Sequence, residues 1–252
     1  PVYKGTGTYN HSDGAVDKNG GPKDGMIRTP QDMAWLEDMI AAGYIFQPSG
    51  GTGKSKIWYG DLIYADTKGD SIYGNTGDQR YTGKSPNPKW NYGLSVNLTF
   101  KGFDMSMIWA GSMGMYYYWN TLYLNQSIVA LGKAVPSLVA NDHYYYNDAN
   151  PSDPANNING HFPRLKTTDP QNTYASDFFL YNASYLKLKS LQIGYTLSAA
   201  ALKKAGLSNI RLFAGGENLL TITKFPGLDP EIGPGLGYPT MRQYILGLNV
   251  TF

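Results

Sequence analysis

The chain has no cysteine, few charged residues and no long apolar segment. Without cysteine it can form neither a disulfide framework nor a thiolate nucleophile. Its apolar runs fall well short of the ~18–20 residues that a membrane-spanning helix needs. A net charge of +2 is too small to indicate nucleic acid as a partner. The sequence also lacks a nucleophile elbow and a phosphate-binding loop, and its three histidines lie far apart. We therefore predict that the protein is not an enzyme.

The end of the sequence is a strand pattern with regular alternation. Residues 242–252 alternate between apolar and polar side chains, and Ile245 is the one interruption. The predicted membrane-facing side of this strand consists of Tyr244, Leu246, Leu248, Val250 and Phe252. An apolar-out, polar-in strand of roughly 9–11 residues is typical of a transmembrane β-barrel wall. Because the closing strand of a bacterial outer-membrane barrel ends on an aromatic residue, we predict an outer-membrane protein with a periplasmic C-terminus.

The same period of two predicts four more wall strands within residues 89–252. The expected strands cover residues 89–100, 103–111, 185–197 and 210–223, and 242–252 is the fifth. The predicted fold class is therefore all-β, an antiparallel transmembrane β-barrel segment with long loops. Bacterial barrels keep short turns in the periplasm and long loops outside. The long connections at about 111–184 and 224–241 are thus expected to be extracellular.

Residues 1–88 show no strand periodicity, and we predict an extracellular loop region with a short helix near 30–42. Thr29 would cap this helix and Pro30 would occupy its first turn. The start of the chain does not resemble a signal peptide. Five strands cannot close a barrel, since the smallest barrels have eight. We expect that the chain is a piece of a longer polypeptide, or that other chains complete the wall.

Two lysines fall on the outward phase of the third strand. Lys187 and Lys189 share their parity with Leu191. Lysine is costly at the bilayer midplane and nearly free at the interface. We therefore expect this strand to project above the membrane, where both lysines would meet lipopolysaccharide phosphates. Solvated lysines on a strand extension are the alternative.

Four short segments carry a resemblance to a known family. They are Asn-Pro-Lys-Trp-Asn-Tyr-Gly-Leu from Asn87, Ser-Asp-Phe-Phe-Leu from Ser176, Glu-Asn-Leu-Leu-Thr from Glu217 and Phe-Pro-Gly-Leu-Asp-Pro-Glu from Phe225. As an ordered series covering roughly residues 43–252, they resemble the C-terminal region of SusC-like TonB-dependent transporters of Bacteroidota. The resemblance implies a 22-stranded barrel, a plug domain and a TonB box that couples import to TonB. It also implies a SusD-like surface lipoprotein as partner and a glycan or peptide as substrate.

The long loop at 111–184 is predicted to contact the substrate. Its candidate residues are Tyr116, Tyr117, Trp119, Tyr144, Tyr145 and Arg164. Aromatic rings pack against the apolar faces of sugars, while neighbouring polar groups hydrogen-bond the hydroxyls. The alternative is that these rings pack the loop against itself or extend the outer aromatic girdle.

Asp66 and Asp70 are candidate metal ligands. Members of the resembled family often carry an Asp-x-Asn-Gly-Asp-Gly loop that resembles a calcium site. In this sequence Lys68 replaces the middle asparagine, which removes an oxygen ligand and adds positive charge. Because calcium takes six to eight oxygens, a plain turn is the alternative, and no other cofactor is predicted. Two other functions stay open, namely a passive porin and a soluble glycan-binding β-sandwich.

Overall fold

The computed structural model describes residues 1–14, 16–119, 135–166, 170–197, 206–235, 238 and 240–252. Parts of the two predicted long loops therefore lie outside the described residues. The chain divides into two compact units. The loop unit comprises Pro1–Thr82 and Trp119–Leu180, and the wall unit comprises Gly83–Tyr118 and Tyr181–Phe252. Within these described ranges, no helix is both long enough and apolar enough to cross a membrane.

Among the described residues the regular elements are two α-helices, nine strands and three 3₁₀ helices, at His11–Asp13, Thr76–Asp78 and Asp177–Phe179. The α-helices are α1 (Pro30–Ala41) and an unlabelled turn of helix at Ser137–Asp142. The strands are β1 (Ile45–Phe46), β2 (Ile72–Tyr73), β3 (Trp90–Phe100), β4 (Phe103–Met113), β5 (Tyr116–Tyr118), β6 (Leu180–Asn182), β7 (Tyr185–Thr196), β8 (Asn209–Thr223) and β9 (Gln243–Thr251). The five long strands lie where the alternation predicted them.

The wall unit is built on an antiparallel sheet with the order β3-β4-β7-β8-β9. Strands β3 and β4 form a hairpin in which Phe100 pairs with Phe103. The two turn residues, Lys101 and Gly102, both have positive φ, at 48° and 87°. This conformation matches the twist of the flanking strands, and it favours glycine. A Cβ on Gly102 would also lie 2.7 Å from the carbonyl oxygen of Thr196.

One face of the sheet is apolar across its whole width. One row of paired residues consists of Leu98, Met105, Ile193, Ala214 and Leu246. A second row consists of Leu94, Trp109, Leu188 and Leu220. Strand β9 adds Tyr244, Leu248 and Val250 to this outward face, and Leu246 is 87% exposed. So large an apolar surface is unfavourable in water, and it suits the hydrocarbon of a bilayer.

A β-bulge at Lys189 reverses the phase of strand β7. Ile108 of β4 pairs with Ser190, but the next residue, Trp109, pairs with Leu188, so that Lys189 is the extra residue. On the N-terminal side of the bulge, Leu188 faces outward and Lys187 faces inward. The expectation that Lys187 points outward to lipopolysaccharide is therefore wrong, because it assumed uninterrupted alternation. A bulge of this kind moves all side chains on one side of it to the opposite face of the sheet.

Lys187 is instead buried in an ion cluster, with its side chain 1% exposed. Its Nζ lies 2.6 Å from Asp229 Oδ2 and 2.7 Å from Glu231 Oε2. Lys189 Nζ lies 2.6 Å from the same Glu231 oxygen, so this lysine is also paired within the protein. Burial alone would raise the pKa values of Asp229 and Glu231, but the Lys187 ammonium outweighs it and holds both below their usual range. The cluster fastens the connection after β8 to the wall.

The loop unit has its own hydrophobic core, which the expectation of a simple loop region did not anticipate. Thr29 caps α1, and its side chain and that of Asp32 form a reciprocal capping box. The helix buries Trp35, Leu36 and Met39. The core also includes Tyr3, Tyr9, Ile27, Met33, Phe46, Ile57, Ile63 and Tyr73. Strands β1 and β2 pair in parallel beside it, and the remaining chain is held by isolated bridges and turns.

The two faces of the wall can be distinguished by adjacent substitutions on β4. Met107 faces outward and Ser106 faces inward at the same depth. We expect Met107→Lys to destabilise the membrane-embedded protein by about 2–4 kcal/mol, since an outward lysine near the midplane meets lipid. Ser106→Lys is the matched control and should cost much less. Unfolding by urea in lipid vesicles measures both, and equal losses would contradict the assignment of faces.

Removing Lys187 should destabilise the wall unit far more than removing Lys189. Lys187→Met leaves the buried Asp229 without its cation and the partly buried Glu231 with Lys189 alone, and breaking a buried pair in this way costs about 3–5 kcal/mol. Lys189 is a third exposed, so Lys189→Met should cost at most about 1 kcal/mol. Thermal unfolding at neutral pH measures both variants, and similar losses in the two would contradict this order.

The ion cluster should also make stability depend on pH. The pKa values of Asp229 and Glu231 are lowered in the folded state, so their contribution to the stability of the fold is present above about pH 4 and is lost on further acidification. Thermal unfolding at neutral and acidic pH measures this loss.

Candidate functional site

A cavity of about 370 Å³ opens on the surface of the loop unit. Its lining comes from three separate segments of the chain, around residues 54–59, 143–148 and 164–165. The lining residues are Lys54, Trp58, Tyr59, His143, Tyr144, Tyr145, Tyr146, Asp148, Arg164 and Leu165. Five of these ten side chains are tyrosine or tryptophan, which is the composition of a site that binds flat or ring-shaped ligand groups.

Asp61 joins two of the three segments from beneath the cavity, the one around residues 54–59 and the one around residues 164–165. Its carboxylate is fully buried and receives a bidentate contact from Arg164, at 2.8 Å from Nε and 2.7 Å from Nη2. Lys166 Nζ and Asn172 Nδ2 each lie 2.9 Å from one of its oxygens, and the Trp58 backbone N–H donates at 2.8 Å. A buried carboxylate is stable only with such partners. Arg164 is therefore oriented by Asp61.

The floor of the cavity depends on a close approach at Gly60. This residue has φ +85°, and an added Cβ would collide with the ring of Tyr144 and lie 2.9 Å from Arg164 Cβ. Tyr144 is almost fully buried, and its hydroxyl donates to the Arg28 carbonyl at 3.2 Å. Burial raises the pKa of Tyr144 to about 12. The phenol therefore stays protonated at neutral pH.

The walls and the rim differ in character. Trp58 and Tyr59 meet edge to face with ring centroids 5.1 Å apart. Tyr145 is 40% exposed, so its ring is accessible to a ligand. At the rim, Lys54 Nζ and Asp148 Oδ2 form an ion pair of 2.8 Å between two well-exposed side chains. Exposed pairs of this kind contribute little to stability, and a ligand can exchange with either partner.

The chain is similar in sequence to several known proteins. No protein-family model matches the chain. The TonB-dependent receptor P3 of Formosa agariphila is 31% identical over 208 residues, which are 77% of this chain and 19% of that protein. The TonB-dependent receptor SusC of Bacteroides thetaiotaomicron is 27% identical over 195 residues, 75% of this chain and 17% of that protein. Over about three quarters of its length the chain is thus similar to TonB-dependent receptors, SusC among them.

Solved structures support the same fold for this SusC-like receptor segment. The RagAB peptide importer in its open-open state matches with a TM-score of 0.53 and 25% identity, over 75% of this chain and 20% of that one. A further RagAB peptide transporter structure matches with a TM-score of 0.53 at 23% identity, over 83% and 24%. The segment thus spans about a fifth of the length of the relatives that it matches. TonB-dependent receptors are outer-membrane proteins, in agreement with the apolar outer face of the sheet.

The structure brings three of the six predicted substrate residues together. Tyr144, Tyr145 and Arg164 line the cavity. Tyr116, Tyr117 and Trp119 are not among the lining residues. Tyr117 instead packs against Phe225, with ring centroids 5.5 Å apart, and its hydroxyl donates to the Pro230 carbonyl at 3.0 Å. The ring of Tyr116 has its centroid 4.9 Å from Lys84 Nζ. Trp119 is buried, with 7% of its surface exposed. For these residues the packing alternative describes the contacts.

Sequence reasoning missed one wall of the cavity in the SusC-like segment. Trp58 and Tyr59 stand directly before Gly60 and Asp61. An adjacent aromatic pair followed by a glycine and an acid was a usable signal, but it lies outside the long loop on which the prediction concentrated. Lys54 carried no local signal, since an exposed lysine in a glycine-rich turn is ordinary.

The predicted calcium ligands form a hydrogen-bonded turn. Asp66 Oδ1 accepts from the backbone N–H groups of Gly69 and Asp70 at 2.5 and 3.2 Å. Asp70 pairs with Lys68 at 3.0 Å, and this hydrogen bond lowers the pKa of its carboxyl. Throughout the described ranges, no group of three or more histidine, cysteine or acidic side chains could hold a metal ion. Calcium binding stays an untested prediction, and the donors around both acids favour the plain turn.

We expect Asp61 to contribute far more to the stability of the loop unit than Asp148 does. Asp61→Asn leaves Arg164 and Lys166 without their shared anion, so we expect a loss of about 3–5 kcal/mol in the stability of the loop unit. Asp148→Asn removes only an exposed pair and should change stability by less than about 1 kcal/mol. Thermal unfolding followed by near-ultraviolet circular dichroism measures both variants. A stable, well-packed Asp61→Asn protein would contradict the role assigned to this residue.

Proposed function

We propose that this chain is part of an outer-membrane transporter that imports glycans by TonB coupling, together with a SusD-like surface lipoprotein. The wall unit spans the membrane, the long connections lie outside the cell, and Phe252 lies at the periplasmic side. The loop unit contacts the substrate. The observation that carries the proposal is the aromatic cavity in a chain that also has an apolar-out five-stranded wall.

The cavity suits a ring-shaped, hydroxyl-rich ligand. Trp58, Tyr59 and Tyr145 present ring faces and edges against which the apolar face of a sugar packs. The tyrosine hydroxyls and Lys54 supply hydrogen bonds around such a ring. A peptide is the second candidate substrate, because RagAB, which the chain resembles, is a peptide importer.

Binding and uptake of an oligosaccharide by cells test this function. We expect Tyr145→Ala to weaken the binding of the oligosaccharide roughly tenfold, since an aromatic contact of this kind is worth about 0.5–1.5 kcal/mol beyond its buried area. Tyr81→Ala is the matched control, because Tyr81 belongs to the same unit, is 96% exposed and does not line the cavity. Trp119→Ala is a poor probe, since this buried ring supports packing.

Deletion of tonB provides the second arm of the same experiment. Import should stop in the deletion strain while surface binding of the oligosaccharide is kept. Uptake that continues without TonB would instead identify a passive porin. Full activity of Tyr145→Ala would contradict the assignment of the cavity to the substrate.

A further inference from the structure

The cavity and the side chains directly bonded behind it carry an excess of positive charge. The cations are Lys54, Arg164 and Lys166, and the anions are Asp61 and Asp148. Asp61 is fully buried, whereas Lys54 is 71% exposed at the rim. One of the two carboxylates, Asp61, therefore lies beneath the site, and the other, Asp148, shares the rim with Lys54. A ligand carboxylate can take the place of Asp148 on Lys54, because exposed ion pairs of this kind are weak.

The carboxylates of the site are already engaged by the protein. The Asp61 carboxylate takes five hydrogen bonds, from Arg164 twice and from Lys166, Asn172 and Trp58. A carboxylate has about four lone-pair positions, so Asp61 has none to offer a ligand. Asp148 at the rim is the one carboxylate among the lining residues, and it is paired with Lys54.

The donors of the site, by contrast, are available. In the part of the chain that the structure describes, the Trp58 indole N–H makes no hydrogen bond to the protein, and neither do the hydroxyls of Tyr59, Tyr145 and Tyr146. Lys54 Nζ can donate three hydrogen bonds, and one goes to Asp148. Burial and the nearby carboxylate of Glu37 raise the pKa of Tyr59, which keeps its hydroxyl protonated. The opening therefore presents an exposed ammonium with free hydrogen-bond donors, beside tyrosine hydroxyls that can both donate and accept.

We propose that this cavity selects oligomers that carry carboxylate groups. A ligand carboxylate binds Lys54 in place of Asp148 and accepts hydrogen bonds from the surrounding hydroxyls, while the apolar faces of the ligand pack on the rings. Neutral sugars fit less well, because they bring no negative charge to the Lys54 ammonium, which then stays paired with Asp148. The inference rests on the proposed function, since it names the chemistry of the substrate that the same site contacts.

Carboxylates of this kind occur on uronic acid units and on acidic peptides, and four probes separate these sources. They are an oligogalacturonate, a neutral galactose oligomer of equal length, a short glutamate peptide and the matching glutamine peptide. Binding is measured by calorimetry on the receptor extracted from native outer membranes in detergent. We expect at least one acidic probe to bind about threefold or more tighter than its neutral partner at low salt, with the difference shrinking as salt rises.

Variants at the rim test the sign of the effect. Lys54→Gln should abolish most of the preference for the acidic probe, and Asp148→Asn should increase its affinity, because a competing carboxylate is removed. Lys68→Gln is the matched control, since Lys68 is also an exposed lysine that pairs with an aspartate, 3.0 Å away, but does not line the cavity. This variant should bind every probe as the unaltered receptor does.

Each outcome decides the matter. Preference for oligogalacturonate supports the inference and names a sugar, and preference for the glutamate peptide supports it and names a peptide. Equal binding of acidic and neutral partners overturns the charge selection while leaving the import function intact. Binding of no probe, or a Lys54→Gln variant that keeps the full preference, overturns the inference. Loss of TonB-dependent uptake of every oligomer is the separate result that would remove the proposed function.

Discussion

The structure depends on one constraint, which is that backbone hydrogen bonds inside a bilayer must be made within protein. Each unsatisfied N–H or C=O group in hydrocarbon costs several kcal/mol. Within the five-stranded sheet, β4, β7 and β8 have neighbours on both sides, whereas β3 and β9 stand at the two edges. The sheet is therefore a sector of a larger closed wall, and further strands must pair with both edges. The chain spans about a fifth of the relatives that it matches, which leaves ample sequence in such proteins for the missing strands.

Because of the β-bulge at Lys189, strand β7 presents apolar side chains to lipid and still directs Lys187 to the polar interior. Regular alternation would have pointed Lys187 at lipid, and the extra residue turns it inward instead. There it meets Asp229 and Glu231, and the connection after β8 becomes fixed to the wall by charge. A buried cluster of this kind is weak as a source of stability, since desolvation offsets most of the attraction. Its value lies in specifying one position for the connection, because any other position leaves a buried charge unpaired.

The sequence predicted the strands well and the irregular parts poorly, for physical reasons. A membrane wall imposes alternation on every strand, so rows such as Leu94, Trp109, Leu188 and Leu220 leave a visible period of two. A bulge depends on how two neighbouring strands pair, and the residues next to Lys189 in the sequence do not indicate it. The core of the loop unit is assembled from turns and isolated bridges, which leave no period. The cavity is lined by three distant segments, two of which are joined by the buried Asp61. Clusters of tyrosine in the sequence indicated Tyr144 and Tyr145, but equally the packed Tyr116 and Tyr117.

Cysteine scanning along β7 tests the account of the wall most directly, because the chain has no cysteine of its own. Single variants Leu188→Cys, Ser190→Cys, Gln192→Cys and Ile193→Cys in native outer membranes are exposed to a water-soluble maleimide. The account predicts labelling of the cysteines at positions 190 and 192 and protection of those at 188 and 193, with the reversal between 188 and 190 marking the bulge. Equal labelling at 188 and 190 would show that the phase does not reverse. Equal labelling at all four positions would show that this face does not meet lipid.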